Sequence, residues 1–210
     1  MIKNIVYCLV DLWASVYTYR VSKWFEDKYE MLYAKWIIHF IGNADPSVFI
    51  GSNLNLLGGK YMEIGANTCI GKNSVLNCWN MYRNKQILHP RLIIGQKCEF
   101  GEYTHITCAN KIKIGDNLLA GRRCLITDNS HGNTKSEDIK MPPSERPLQV
   151  KEVVIGNNVW LGEKVTICPG VHIGDGAIIG ANAVVTHDIP SFAVAVGVPA
   201  RVIRIISTKN

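Results

Sequence analysis

The chain has 210 residues, a formal net charge of +6, 47% hydrophobic and 19% charged residues, a balance that excludes disorder and collagen-like sequence. That length suits one cooperative unit with at most an appendage, and it can bury a core without disulfide staples. The positive excess is small and dispersed, with no basic stripe interleaved with aromatics, so no nucleic-acid partner is expected.

Residues 1 to 44 read as a helical segment, with Val6, Leu9, Trp13 and Val16 on one face and Phe25, Tyr29, Leu32, Trp36 and Phe40 on another. Gly42 and Pro46 end the pattern. Asp11, Arg20 and Lys23 interrupt every apolar run before the roughly 18 residues a spanning helix needs, so no transmembrane helix is expected. The aromatic stripes are expected to pack on the following domain; peripheral membrane contact through these helices is the alternative.

From Ile155 a strict period appears: Ile155, Leu161, Ile167, Ile173, Ile179 and Val185 fall six apart, and Val159, Val165, Val171, Ala177 and Ala183 supply a second apolar residue in each hexad. Helical spacing cannot produce this. The same phase runs earlier through Ile64, Ile70 and Leu76, then Ile94, Phe100 and Ile106, then Ile114, Ala120 and Ile126. Asn67, Asn73, Asn117, Asn158, Gly170, Gly176 and Asn182 recur three residues after the leading position, and Asn and Gly accept positive φ at modest cost. A turn every six residues between short strands, all advancing in one sense, makes a parallel β-helix, with three hexads to a coil and β-branched side chains stacked inside a triangular prism. The fold class is therefore all-β with an N-terminal α-helical cap. The β-helix is expected over residues 45–197 and a C-terminal tail over 198–210, the helices and tail covering the open ends of the coil.

Two segments break the repeat, at about 79–92 (WNMYRNKQILHPRL) and 128–150 (DNSHGNTKSEDIKMPPSERPLQV), and a smaller bulge lies in CANKIK. Loops extruded from a solenoid usually carry its function. Over roughly residues 50–206 the chain resembles the left-handed β-helix acyltransferases of the hexapeptide-repeat class, close to the galactoside and maltose acetyltransferases and the sugar O-acetyltransferases of polysaccharide synthesis. The most specific stretch is IGNNVWLGEKVTICPGVHIGDGAIIGANAVVTHDIPSFAVAVGVPARVIR.

The resemblance implies transfer of an acetyl group from acetyl-CoA to a hydroxyl of a sugar or saccharide precursor, in a homotrimer, with His131 as general base. An imidazole of ordinary pKa, about 6.5, suits that role, because a sugar hydroxyl is a poor nucleophile until its proton is accepted. For coenzyme A the family positions fall on Trp160, Glu163, Ala181, Thr186, His187, Arg201 and Arg204, with His187 replacing a usual Lys and Glu163 a common Ser. Arg201, Arg204 and Lys209 give the tail positive charge suited to the phosphates of coenzyme A. Tyr103, His105, Asn110 and Asp128 are polar candidates for the acceptor site. Gly101 and Ala109 stand where galactoside acetyltransferases have polar side chains, which points away from that sugar.

N-acylation of an amino sugar or amino acid is the alternative enzyme reading, and a non-catalytic β-helix scaffold the alternative of another class. The histidines lack the close pair that a zinc carbonic anhydrase of this fold requires, so no metal is expected. The seven cysteines form no CxxC pair, and no secretory signal precedes them, so the reducing cytoplasm is the expected compartment. Cys98 and Cys124 fall at inward hexad positions, which argues against a thiol nucleophile.

Overall fold

A computed structural model of the chain describes residues 2–83, 85–133 and 137–206; Lys209 of the tail lies outside the described residues. The N-terminal part forms two helices, α1 (Ile2–Val16) and α2 (Tyr19–Ile37), separated at Thr18, whose hydroxyl caps α2 by accepting from the Val21 N–H. Among the described residues no helix is long and apolar enough to cross a membrane.

The expected packing of the aromatic stripes is not observed. Phe25, Tyr29, Leu32, Trp36 and Phe40 are exposed, as are Val6, Leu9, Trp13 and Val16 of α1, while Glu30, Ala34 and Ile37 form the buried stripe of α2. The small Ala34 lets the helix axis approach the end of the prism, where a row of large rings would hold it off. The Glu30 carboxylate accepts from the Ser52 N–H at 2.8 Å and the Ser52 hydroxyl at 2.6 Å, and it pairs with Lys72 at 3.3 Å. Burial alone would raise its pKa, but the Ser52 hydrogen bonds and the Lys72 ammonium outweigh that and hold it below the ordinary 4.5.

A depressed carboxylate pKa contributes stability above the ordinary value, and the contribution is lost as pH falls through the folded value. Docking of α2 should therefore be insensitive to pH down to about 4.5 and loosen only below it. Hydrogen exchange of the α2 amides against pH checks this; protection already lost at about pH 6, above the ordinary carboxylate range, would contradict it.

The described strands that follow fall into three large sheets of six, eight and six strands. Pairing between successive coils is parallel throughout. In the first sheet Ile64, Ile94, Ile114, Ile155 and Ile173 stack in register; in the second, Ile50, Ile70, Phe100, Ala120, Leu161 and Ile179 do so; in the third, Leu76, Ile106, Ile126, Ile167 and Val185. These columns are buried and form one continuous core, joined by Val159, Val165, Val171, Ala177 and Ala183 from the corners. The chain is thus a parallel β-helix in which each coil adds one strand to each sheet.

Corner turns recur as the hexads predict. Asn67, Asn73, Asn117, Asn158 and Asn182 take φ between 55° and 60°, with Gly170 and Gly176 at +85° and +65°. Lys97, Tyr103, Arg123, Lys164 and Phe192 adopt the same left-handed geometry. The stacked coils impose it on residues that would not choose it alone.

At the C-terminal end Ala193–Val196 extends the second sheet, and Arg201–Ile205 returns antiparallel against it. The return strand is exposed along its whole length.

Candidate functional site

All three interruptions leave one corner of the prism, where the third sheet hands the chain back to the first. The first segment follows Val75–Cys78, the small bulge follows His105–Cys108, and the second segment follows Leu125–Thr127. These strands are immediate neighbours, so the roots of the two long segments stand about 10 Å apart, two strand spacings. Each segment contains an antiparallel ribbon: Met81–Tyr82 with Gln86–Ile87, and Asn129–His131 with Leu148–Val150.

His131 ends the second ribbon, opposite Leu148, with its side chain exposed. The first segment braces it. Tyr82 Oη lies 3.2 Å from His131 Nδ1 and donates to the Ser144 carbonyl at 3.0 Å. Gln86 clamps the backbone of Leu148 on both sides, accepting from its N–H at 2.7 Å and donating to its carbonyl at 2.9 Å. Beneath these polar contacts Leu88, Ala109 and Leu148 form a small separate core, with Trp79, Tyr82 and Val150 packed against it. Between the segments opens a cavity of about 610 Å³ lined by Tyr82, Arg83, Lys85, Gln86, Glu145, Arg146 and Pro147.

Asp128 anchors the root of the second segment. Its side chain is fully buried, one carboxylate oxygen accepting from the Ala109 N–H at 2.8 Å and the other from the Asn110 N–H at 2.7 Å. Asn129 adds a hydrogen bond to the Thr107 carbonyl at 3.2 Å. Asp128 therefore ties the bulge to the loop from inside and presents no oxygen to solvent, a correction to its expected place among acceptor contacts. Asn110 is half-buried beside it.

The other acceptor candidates stand apart from His131. His105 opens its strand on the outer face, flanked by Val75 and Leu125, about 10 Å along the strand from Cys108. Crowding by these neighbours desolvates its ring and lowers its pKa. Tyr103 lies at the opposite corner of the third sheet, its ring 5.2 Å from the Arg123 guanidinium.

The residues suggested for coenzyme A fall into two groups. Trp160, Glu163 and Ala181 line one cavity of about 410 Å³ over the second sheet and its corner with the third. His187 and Arg201 line another, of about 290 Å³, with Asp188 and Ala200. Thr186 Oγ1 contacts His187 Nδ1 at 2.9 Å, and Arg201 donates to the Ala200 carbonyl at 2.9 Å. Arg204 lies on the return strand opposite Val194. Within one chain the Trp160 cavity and His131 occupy different corners of the prism.

The inward thiols Cys98, Cys108 and Cys124 are poor nucleophiles. Cys98, Cys108 and Cys124 are buried; burial raises the pKa of Cys98 and Cys124, and at Cys108 the Cys78 contact, burial and the Asp128 charge push it far above the ordinary thiol range.

Tyr82, Gln86 and Ser144 were not anticipated from the sequence. The aromatic and amide residues of WNMYRNKQ were the available signal, but after Trp79 the hexad phase is lost, and with it any indication of what those side chains face.

Residues 152–187 match the model for the bacterial transferase hexapeptide (six repeats). The chain is 39% identical over 117 residues to a protein named as a lipopolysaccharide biosynthesis O-acetyl transferase, WbbJ of Escherichia coli K12, covering 54% of this chain and 60% of that protein. It spans under half the length of two further acetyltransferases that it matches. It is 32% identical over 147 residues to a chloramphenicol acetyltransferase of Agrobacterium fabrum, covering 58% of this chain and 70% of that protein. Among solved structures, AntD, an N-acyltransferase from Bacillus cereus in complex with dTDP and 3-hydroxybutyryl-CoA, superposes with a TM-score of 0.67 at 20% identity, covering 83% of this chain and 89% of that one; at that identity the likeness speaks for the fold. Hexad, corner turn, extruded histidine loop and sequence identity converge, and the chain belongs to the bacterial hexapeptide-repeat transferases.

Proposed function

We propose that the protein is an acetyl-CoA-dependent O-acetyltransferase acting on a hydroxyl of a sugar or saccharide precursor, with His131 as general base. The observation that carries this reading is His131 itself, exposed at the end of one extruded ribbon and braced by the other beside a cavity of about 610 Å³, a size suited to a small ligand. The similarity to WbbJ supports a saccharide acceptor. The left-handed sense of the coil, and the division into helical segment 1–44, β-helix 45–197 and tail 198–210, belong to the same reading.

Coenzyme A suits the residues of the two outer cavities and the return strand: Trp160 offers an apolar wall for the pantetheine arm, and Arg201 of the second cavity and Arg204 on the return strand offer forked donors for phosphates. When bound, it would supply the activated acetyl thioester. His131 would accept the hydroxyl proton, and the raised thiol pKa values favour direct transfer over an acyl-cysteine. The Trp160 cavity and His131 sit at different corners of one prism, so a cleft between adjacent prisms that brings the two corners of neighbouring chains together would agree with the homotrimer the resemblance implies. Free cysteines agree with a cytoplasmic setting, and the exposed apolar side chains of α1 and α2 favour peripheral membrane contact.

The test is transfer from acetyl-CoA to a panel of saccharides and amino sugars, with the linkage of each product determined. Ester products support the reading, and amide products on amino sugars move it to N-acylation, the activity named for AntD. No transfer to any acceptor favours the scaffold.

The return strand gives a separate expectation. Arg201→Ala and Arg204→Ala should each weaken coenzyme A binding by about 1.5–3 kcal/mol, the range for hydrogen bonds to charged groups, less at high salt. Calorimetry with coenzyme A and its dephospho form would show which arginine meets the 3′-phosphate. Wild-type affinity in both variants would remove the strand from cofactor capture.

A further inference from the structure

We propose that Tyr82, from the first extruded segment, fixes the tautomer of His131 so that Nδ1 carries the hydrogen and Nε2 presents the basic lone pair. The inference deepens the proposed function and rests on it for its catalytic meaning, but the proton assignment comes from the contacts themselves.

A phenol has one hydrogen to donate, and a backbone carbonyl has none. Tyr82 Oη faces two partners, the Ser144 carbonyl oxygen at 3.0 Å and His131 Nδ1 at 3.2 Å. Both contacts are hydrogen bonds in one arrangement only: the phenol donates to Ser144, and the imidazole donates its Nδ1–H to the phenol oxygen. In the other tautomer Nδ1 needs the phenol hydrogen, and the Ser144 oxygen is left against the phenol oxygen, acceptor against acceptor.

The three groups are held from independent directions. Tyr82 packs against the small core of Leu88, Ala109 and Leu148, and its ring centroid lies 5.6 Å from that of His131. Ser144 belongs to the short turn Pro143–Glu145, preceded by Pro142. His131 is set by its pairing with Leu148, which Gln86 clamps on both backbone sides.

The tautomer matters because a general base needs its lone pair on the nitrogen that meets the acceptor, and the bond made by the other nitrogen decides which one that is. A buried carboxylate often orients a catalytic imidazole. Here a neutral phenol, itself fixed by a backbone carbonyl, does so. The Nδ1–H bond to Tyr82 is the same before and after Nε2 takes a proton, so the ring need not turn between the two states. Tyr82 is thus a positioning residue: it acts through His131 and need not touch substrate.

The experiment is nitrogen-15 NMR of the full-length protein labelled at histidine, at about pH 8, where an ordinary imidazole is neutral, with the His131 signals assigned by comparison with His131→Ala. The wild type should show a protonated Nδ1 and an unprotonated Nε2. Tyr82→Phe keeps the ring and removes both hydrogen bonds; its His131 signals should move toward the opposite tautomer or an average. Turnover should fall roughly threefold to tenfold, the loss of one ordinary hydrogen bond, with KM for the acyl donor unchanged. Gln86→Ala loosens the two segments but keeps the phenol, and should leave the tautomer as in the wild type. An unprotonated Nδ1 in the wild type, or wild-type shifts in Tyr82→Phe, would overturn the proposal. The expected shifts in a chain that acetylates no acceptor would overturn the proposed function and leave the proton assignment standing.

Discussion

His131→Ala should lower turnover at least about a hundredfold, the lower bound for losing a positioned general base, while leaving the affinity for coenzyme A nearly unchanged. The split follows from geometry. His131 ends a ribbon beside the cavity between the extruded segments, whereas Trp160, Glu163 and Ala181 line a cavity at another corner of the prism. An imidazole that acts on the acceptor proton contributes to the reaction step and little to binding the donor. Steady-state kinetics with a productive acceptor, paired with calorimetry for coenzyme A, measures both. A parallel fall in cofactor affinity would assign His131 to the donor site instead.

Asp128→Ala should destabilise the protein by about 3 kcal/mol, the lower figure for two hydrogen bonds to a charged group. The carboxylate is fully buried and serves the N–H groups of Ala109 and Asn110, which alanine would leave without that acceptor. Asp128→Asn keeps the shape and one acceptor oxygen, so about half the loss is expected there. Because this residue roots the segment that carries His131, turnover should drop in both variants even where the chain remains folded. Denaturant midpoints give the stability change; a midpoint equal to wild type in Asp128→Ala would show that the bulge needs no internal anchor.

The prism was legible in the sequence because its constraints are local and repeated. Each hexad places an apolar residue inward, and many corners of positive φ carry a tolerant Asn or Gly, so Ile155 to Val185 and the Asn series carry the phase even though Lys97, Tyr103, Arg123, Lys164 and Phe192 hold other corners. The helical segment was legible as helix but not in its packing. Hydrophobicity points to Phe25, Tyr29 and Trp36, whereas α2 docks through Glu30, whose burial depends on Ser52 and Lys72 more than twenty residues away. At the site His131 stood out through the resemblance to the hexapeptide-repeat acyltransferases, since a histidine in a polar loop is by itself an ordinary solvated side chain. Tyr82 did not, since its partner lies 49 residues on and no periodicity connects two extruded segments. Asp128 reads in the sequence as a polar candidate for the acceptor site; only the fold reveals that it faces inward onto backbone N–H groups.

That every insertion leaves from one corner separates two properties that most folds entangle. The strands on either side of each break stay in register, Cys78 with Cys108 and Ile114 with Ile155, as though nothing had been inserted. Coil stability is then close to a sum of contacts between neighbouring coils, and the extruded segments hang outside that sum except at their roots, where Asp128 and Asn129 bond the bulge and the strand beside it. Outward of those roots the segments can lengthen, shorten or be exchanged for others while the prism keeps its melting behaviour, which makes this corner the place where descendants of one scaffold can diverge in the molecules they accept.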